Sequence, residues 1–195
     1  MSYSRFRDLK IVTQTFGLLA QRKRLFEQTT NVEASAWLLE TLSISELLPL
    51  TNEKSKAERV ISPILTEIVR FYATKISFFS DENLAVNDDL NTYQPDFLFS
   101  LQPLTSHVEG LIFSIIETKN NDTDGIAQCA AQLYGAKLFN EIEGKDIPIL
   151  YGCATDGIEW RFIRFENNVF YIDTKVYTDL KEILGVWHHI IKSYL

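Results

Sequence analysis

The stretch LIFSIIETK (111–119) is apolar almost throughout and then ends in Glu117 and Lys119. Side chains alternate along a strand, so Leu111, Phe113, Ile115, Glu117 and Lys119 are expected on one face, the carboxylate and the ammonium emerging side by side. Upstream, Pro95-Asp96 opens a second strand, with Leu98 and Ser100 on the face of Asp96. If the two strands pair through the connection 102–110, Asp96 lies opposite the Glu117/Lys119 end. Two carboxylates beside an ammonium suit a hard divalent cation: Mg²⁺ prefers oxygen ligands and keeps several waters, so one or two carboxylates suffice. Such an ion acidifies a bound water and neutralises charge on a phosphate, while the lysine adds a compact positive charge or, with a depressed pKa, a base. Glu-x-Lys alone carries little, because its ordinary role is an exposed ion pair worth under about 1 kcal/mol. Its place at the end of a buried strand gives it weight.

Other reactive residues rank lower. His188 and His189 are adjacent on a helical stretch and point about 100° apart, so one is expected to be packed and the other exposed. His107 stands alone in a turn. Cys153 falls in an apolar strand and reads as core. Trp160-Arg161 reads as a core ring beside a solvated cation, with base stacking as the lesser alternative. No Gly-rich phosphate loop, nucleophile elbow or dinucleotide fingerprint is present.

The elements that must position these residues follow from periodicity. Residues 4–26 carry a helix pattern weakened by Thr13, Thr15 and Gly17, and a helix–strand mixture fits as well. Residues 34–48 form a second helical piece before Pro49, and the polar break 51–56 marks a boundary. An N-terminal helical appendage (1–54) is therefore expected beside the main body (55–195), the two forming one compact unit. From 55 to 72, apolar residues recur at helical spacing, with Pro63 forcing a kink or a start near Ser62. Strands are expected at 75–79, 83–87, 96–101 and 111–119, with turns at 88–91 and 103–110. A helix capped by Thr123 runs over 124–143. Strands at 147–154, 158–165 and 169–176 are joined by the turn signals Thr155-Asp156-Gly157 and Asn167-Asn168. An amphipathic helix follows from Leu180. The run LIFSIIETK reads as a strand buried on both faces, which gives an α/β (or α+β) fold with a mixed sheet flanked by helices.

Composition sets the outer limits. With 195 residues, 46% hydrophobic and 23% charged, the chain fits one globular core and excludes disorder, collagen and coiled coil. No apolar run approaches the roughly 18 residues of a membrane span. The first ten residues lack a signal peptide's apolar core, and only two cysteines are present, so a cytoplasmic protein without membrane contact is expected. The net charge of −7 argues against indiscriminate nucleic-acid binding. Residues 1–26, however, hold Arg5, Arg7, Lys10, Arg22, Lys23 and Arg24 against Asp8 alone, a local +5 that suits a polyanion touched along one edge; the plainer alternative is a solvated helix face.

The stretches PDFLFS (95–100), FSIIETK (113–119) and GIAQCAAQLYGAK (125–137), with the preceding helix AERVISPILTEI (57–68), resemble the PD-(D/E)xK nuclease superfamily, the restriction-endonuclease-like fold. The likeness covers about residues 55–165, and YGCATDGIEWRFIRF (151–165) is similar to the tail of type I restriction subunit nuclease domains. It implies an αβββαβ core extended by C-terminal strands and a helix. It implies Mg²⁺ or Mn²⁺ held by Asp96, Glu117 and the Thr118 backbone carbonyl, with Lys119 handling the water or transition state. It also implies a supporting Glu from the first helix and a Gln from the second. Around the first helix, Glu58 lies about 80° to one side of the apolar stripe and Glu67 about 100° to the other, so only one is expected to reach the site. Glu58 is favoured because the family's Glu commonly opens the helix, and Glu67 is the alternative. Gln128 is the expected amide, with Gln132 as fallback. The expected function is Mg²⁺-dependent hydrolysis of nucleic acid, DNA in the first place. The alternatives are a non-catalytic nucleic-acid-binding or protein-interaction module on the same fold, or a homodimer joined through the apolar tail 180–195.

Overall fold

The structure, a computed structural model, describes residues 6–86, 94–102, 105–119 and 124–195. In chain order these form α1 (Leu9–Phe16), β1 (Leu19–Lys23), α2 (Ala36–Ser45), α3 (Glu53–Lys56), α4 (Ser62–Tyr72), β2 (Ser77–Ser80), β3 (Phe97–Ser100), β4 (Ile112–Thr118), α5 (Asp124–Ile142), β5 (Ile149–Thr155), β6 (Trp160–Glu166), β7 (Val169–Asp173) and α6 (Leu180–Lys192). The strands make one sheet in the order β1-β7-β6-β5-β4-β3-β2. β1/β7 and β4/β5 run parallel; the other neighbours are antiparallel. The mixed α/β class is as expected, and α4-β2-β3-β4-α5-β5 reproduces the expected order of helix, three strands, helix, strand.

All seven residues of β4 are buried, because helices cover both faces of the sheet. On one face Leu98, Ile115, Leu150 and Ile163 pack with Val12 of α1 and Cys129 and Leu133 of α5. On the other, Phe99, Phe113, Ile116 and Phe162 pack with Ile61, Leu65, Ile68, Leu184 and Trp187. The apolar residues of α6, among them Ile183, Leu184, Trp187, Ile190 and Ile191, pack in the chain's own core. Two contacts fix α5 over the sheet. The Asn140 amide brackets the Ile112 peptide, donating to its carbonyl at 2.7 Å and accepting from its N–H at 2.9 Å. Gly152 lets α5 approach so closely that a Cβ there would fall 2.6 Å from Cys129 Sγ.

Strict alternation along β4 fails at one point. The β3–β4 register shifts between Phe99 and Ser100, a bulge that turns Phe113 to the α4/α6 face while Ile115 faces α5. Alternation resumes beyond it, so Glu117 and Lys119 still share the α5 face.

The first helix differs more. Residues 53–72 run as continuous helix, with a π turn over Ala57–Ile61 joining α3 to α4. Pro63 has no N–H for the Arg59 carbonyl one turn back; the Ser45 hydroxyl of α2 donates there instead, at 2.7 Å. The polar segment expected as a boundary is the start of this helix, where Asn52 and Ser55 form a reciprocal capping box. The N-terminal residues are not an appendage either: β1 extends the sheet beyond β7, and Phe6, Val12, Phe26 and Leu38 are core. Residues 83–86 form no strand beyond an isolated bridge at Leu84. Asn87, the turn at 88–91, Pro103 and Thr123 lie outside the described residues. Asn167 and Asn168 both take positive φ, 51° and 61°, as a tight hairpin turn requires. Among the described residues no helix is long and apolar enough to cross a membrane.

Candidate active site

Antiparallel pairing of Phe97 with Ile116 places Asp96 opposite Glu117 one step further on. Asp96 is tied to β4 by its Oδ2, which accepts from the Thr118 amide at 2.6 Å. A strand residue directs its N–H and C=O to the same side, so the Thr118 carbonyl also faces Asp96. The Lys119 amide points the other way and donates to the Thr155 carbonyl of β5 at 2.8 Å. The aliphatic stem of Lys119 is wedged at the start of α5: a Cβ at Gly125 would lie 3.1 Å from Lys119 Cγ and 3.2 Å from Ala154 Cβ.

Glu117 is 1% exposed, and its Oε1 has no hydrogen-bond partner among the described residues. Burial, and then the neighbouring Asp96 charge, push its carboxyl well above the ordinary value; Lys119 and the Asp96 amide offset this only in part. Asp96 is likewise raised, by burial against the opposing pull of the Thr118 amide and Lys119. Two carboxylates that strain against ionisation here need either protons or a cation.

Neither glutamate expected from the first helix reaches this point. Glu58 is exposed and lies 3.9 Å from Lys54. Glu67 is buried against α2, where it accepts from the Ser35 amide and hydroxyl, both at 2.9 Å, and pairs with Arg70 at 2.6 Å. The helix contributes Glu53 instead: its Oε2 lies 3.9 Å from Lys119 Nζ, and its charge acts on both Asp96 and Glu117. The signal that could have found it is Asn52, a capping residue followed at once by an acid in the first turn. Gln128 is half-buried one turn beyond Gly125, and Gln132 is buried; among the described residues Gln132 Oε1 has no partner and neither amide hydrogen-bonds to the trio.

The remaining candidates fall away from the centre. His188 is buried with Nδ1 at 2.7 Å from the Tyr72 hydroxyl, and His189 is exposed. His107 pairs with Glu109 at 2.8 Å. Cys153 and Trp160 are core, and Arg161 holds Glu159 at 2.6 Å. Among the described residues no cluster of three or more His, Cys, Asp or Glu side chains stands ready to ligate an ion. The centre offers two carboxylates and one carbonyl, a set that fits an ion keeping several waters, as Mg²⁺ does, and not a fully caged one.

The fold and site together define a mixed α/β protein with a buried carboxylate pair and a lysine at the end of its central strand. No family model matches the chain, and no curated protein matches it.

Proposed function

We propose that this chain is a cytoplasmic, Mg²⁺- or Mn²⁺-dependent phosphodiester hydrolase of the PD-(D/E)xK kind, acting on nucleic acid and on DNA first. The observation that carries this is the Glu117 carboxylate, a charged group in a fully buried strand with no partner for Oε1 among the described residues and a second carboxylate, Asp96, opposite it. A buried unpaired carboxylate costs several kcal/mol, about the order of a protein's whole stability margin. Nothing in the packing of β4 requires an acid there. The cost is understandable when a divalent ion shared with Asp96 removes it.

When bound, the ion supplies acidity for the attacking water and charge for the phosphoryl oxygens. Asp96, Glu117 and the Thr118 carbonyl would hold it, and the Asp96–Thr118 hydrogen bond fixes the Asp96 carboxylate against β4 before anything binds. Lys119, with its stem immobilised against Gly125, presents its ammonium to the water or to the phosphate beside the same face. Glu53, with Oε2 3.9 Å from Lys119 Nζ, balances that charge. Gln128 is the group on α5 nearest in sequence to act on a phosphate.

The test is cleavage of single-stranded and duplex DNA and of RNA, with Mg²⁺, Mn²⁺ or EDTA, comparing wild type with Glu117→Gln. Metal-dependent cleavage lost in the variant is the expected result. Cleavage that survives in Glu117→Gln overturns it. Metal binding without cleavage of any substrate would favour a non-catalytic binding module.

A further inference from the structure

A groove of about 1090 Å³ opens beside Lys119 and crosses the ends of β5, β6 and β7 to reach β1. By count its lining is not basic, since Arg7, Arg22, Lys119 and Arg161 share it with four carboxylates. The carboxylates are engaged in local structure, however. Asp8 caps α1 by accepting from the Lys10 amide at 2.8 Å. Asp156 closes the β5–β6 turn, accepting from the Ile158 and Glu159 amides at 2.9 and 2.8 Å. Asp173 is buried and accepts from the Tyr177 hydroxyl and the Lys175 amide, both at 3.0 Å. Glu159 holds Arg161. By contrast, Arg7 and Arg22 are exposed and have no hydrogen-bond or ion-pair partner among the described residues.

Arg22 and its basic neighbours meet different surroundings. Ala20, Gln21 and Arg22 line the groove, whereas Lys23 does not line it and lies over the Tyr171 ring, 5.9 Å from its centroid. Arg24 lies over Tyr177 at 5.7 Å and within 3.8 Å of Asp173. From β4 to β1 the groove spans four strand spacings, about 19 Å. A compact anion occupies one end of such a path; a chain of several phosphates reaches both. Resting on the hydrolase reading above, we propose that Arg7 and Arg22 clamp the phosphodiester backbone of the substrate, several nucleotides from the bond cut at the Lys119 end.

The test is fluorescence anisotropy of the full chain with a labelled single-stranded oligonucleotide and with a labelled hairpin duplex. It is run in EDTA, so that cleavage plays no part, and across a salt series. The double variant Arg7→Ala/Arg22→Ala should bind about tenfold or more weaker, with a salt slope shallower by about 1.4 for a single strand or 1.8 for a duplex. Arg22→Lys should recover much of the loss, and Lys23→Ala and Arg24→Ala should bind as wild type does. Whichever oligonucleotide shows this pattern identifies the strandedness the groove accepts. The clamp is overturned if the double variant keeps wild-type affinity and slope, if Lys23→Ala or Arg24→Ala loses as much, or if wild type binds neither probe. The two proposals fail separately: cleavage that is indifferent to Arg7 and Arg22 removes the clamp alone, and the binding pattern without cleavage removes hydrolysis alone. Matching circular dichroism melts establish that the variants are folded.

Discussion

Glu67 on α4 and Glu117 on β4 are equally hidden, at 0% and 1% exposure, yet they live in opposite electrostatic conditions. Burial pushes both upward. At Glu67 the Ser35 amide, Arg70 and the Ser35 hydroxyl overcome it and hold the carboxyl below its ordinary value. At Glu117 the strongest charge acting after burial is another carboxylate, Asp96, and the carboxyl is driven well up. Glu67 therefore resembles a joint: it ties the N-terminus of α2 to α4, and all its partners belong to the chain. Glu117 keeps its Oε1 without a partner among the described residues. The two acids differ not in burial but in whether the chain itself satisfies every oxygen, and that difference is what the proposed function rests on.

The sharpest way to break this contrast is catalytic. Glu117→Gln should lower metal-dependent cleavage by on the order of 10³-fold, the scale of losing one group that stabilises a transition state. Glu67→Gln should leave turnover per folded molecule unchanged. Steady-state rates on one DNA substrate, with the folded fraction measured in parallel, decide it. Equal losses in the two variants would erase the distinction.

Stability should invert the order. Glu67→Gln weakens charge-assisted hydrogen bonds worth about 1.5–3 kcal/mol each, so a loss of roughly 2–3 kcal/mol is expected in urea unfolding. Saturating Mg²⁺, in turn, should stabilise wild type by about 2.7 kcal/mol when present at a hundredfold its Kd, a rise in Tm of roughly 5–10 °C. Asp96→Asn should abolish that rise and Glu67→Gln should keep it in full. A rise in Tm of equal size in Asp96→Asn would place the ion elsewhere.

The two acids should also bend the pH dependence of stability in opposite senses. A carboxyl raised by folding is fully tolerated below its ordinary pKa, 4.5 for Glu117, and its stabilising contribution is lost as pH climbs through the native value. Metal-free wild type should therefore lose stability relative to Glu117→Gln as pH rises above about 4.5, and Mg²⁺ should cancel the difference. Glu67, depressed, contributes stability above its ordinary value that disappears as pH falls through the native one. Thermal melts in EDTA from acid to mildly alkaline pH read both limbs. Parallel curves for wild type and Glu117→Gln would mean the carboxyl at 117 is not under strain.

How much of this was visible in the sequence depends on the distance over which the signal acts. The Asp96–Glu117–Lys119 face was legible because period-2 alternation is local and the bulge at Phe113 lies before, not within, the final residues of β4. The hairpin at Asn167-Asn168 was legible for the same reason. The helix running from Glu53 was not, because the polar run Thr51–Lys56 carries no apolar period and so marks a break, although Asn52 and Ser55 carry a capping pattern. Nor could periodicity see that Ser45, on a different helix, would take the carbonyl that Pro63 leaves free and so allow a π turn. That turn shifts the phase on which any angular comparison of Glu58 with Glu67 rests. Likewise β1 pairs with β7, about 150 residues away, and no local pattern announces such a partner.

Glu53 supplies the smallest effect and the finest test. It lies 3.9 Å from Lys119, its side chain is about half exposed, and its charge is the last and weakest upward influence on Asp96 and Glu117. A pair so exposed contributes under about 1 kcal/mol, so Glu53→Gln should reduce turnover by no more than about fivefold. Removing a negative charge near two raised carboxylates lets them ionise more readily, so the acid limb of the pH–rate profile should move to lower pH. A structural bystander would alter neither quantity. A loss as large as that of Glu117→Gln would instead put Glu53 among the groups that hold the ion, and the helix that begins at Asn52 would then carry a ligand where its geometry now assigns only a counter-charge for Lys119.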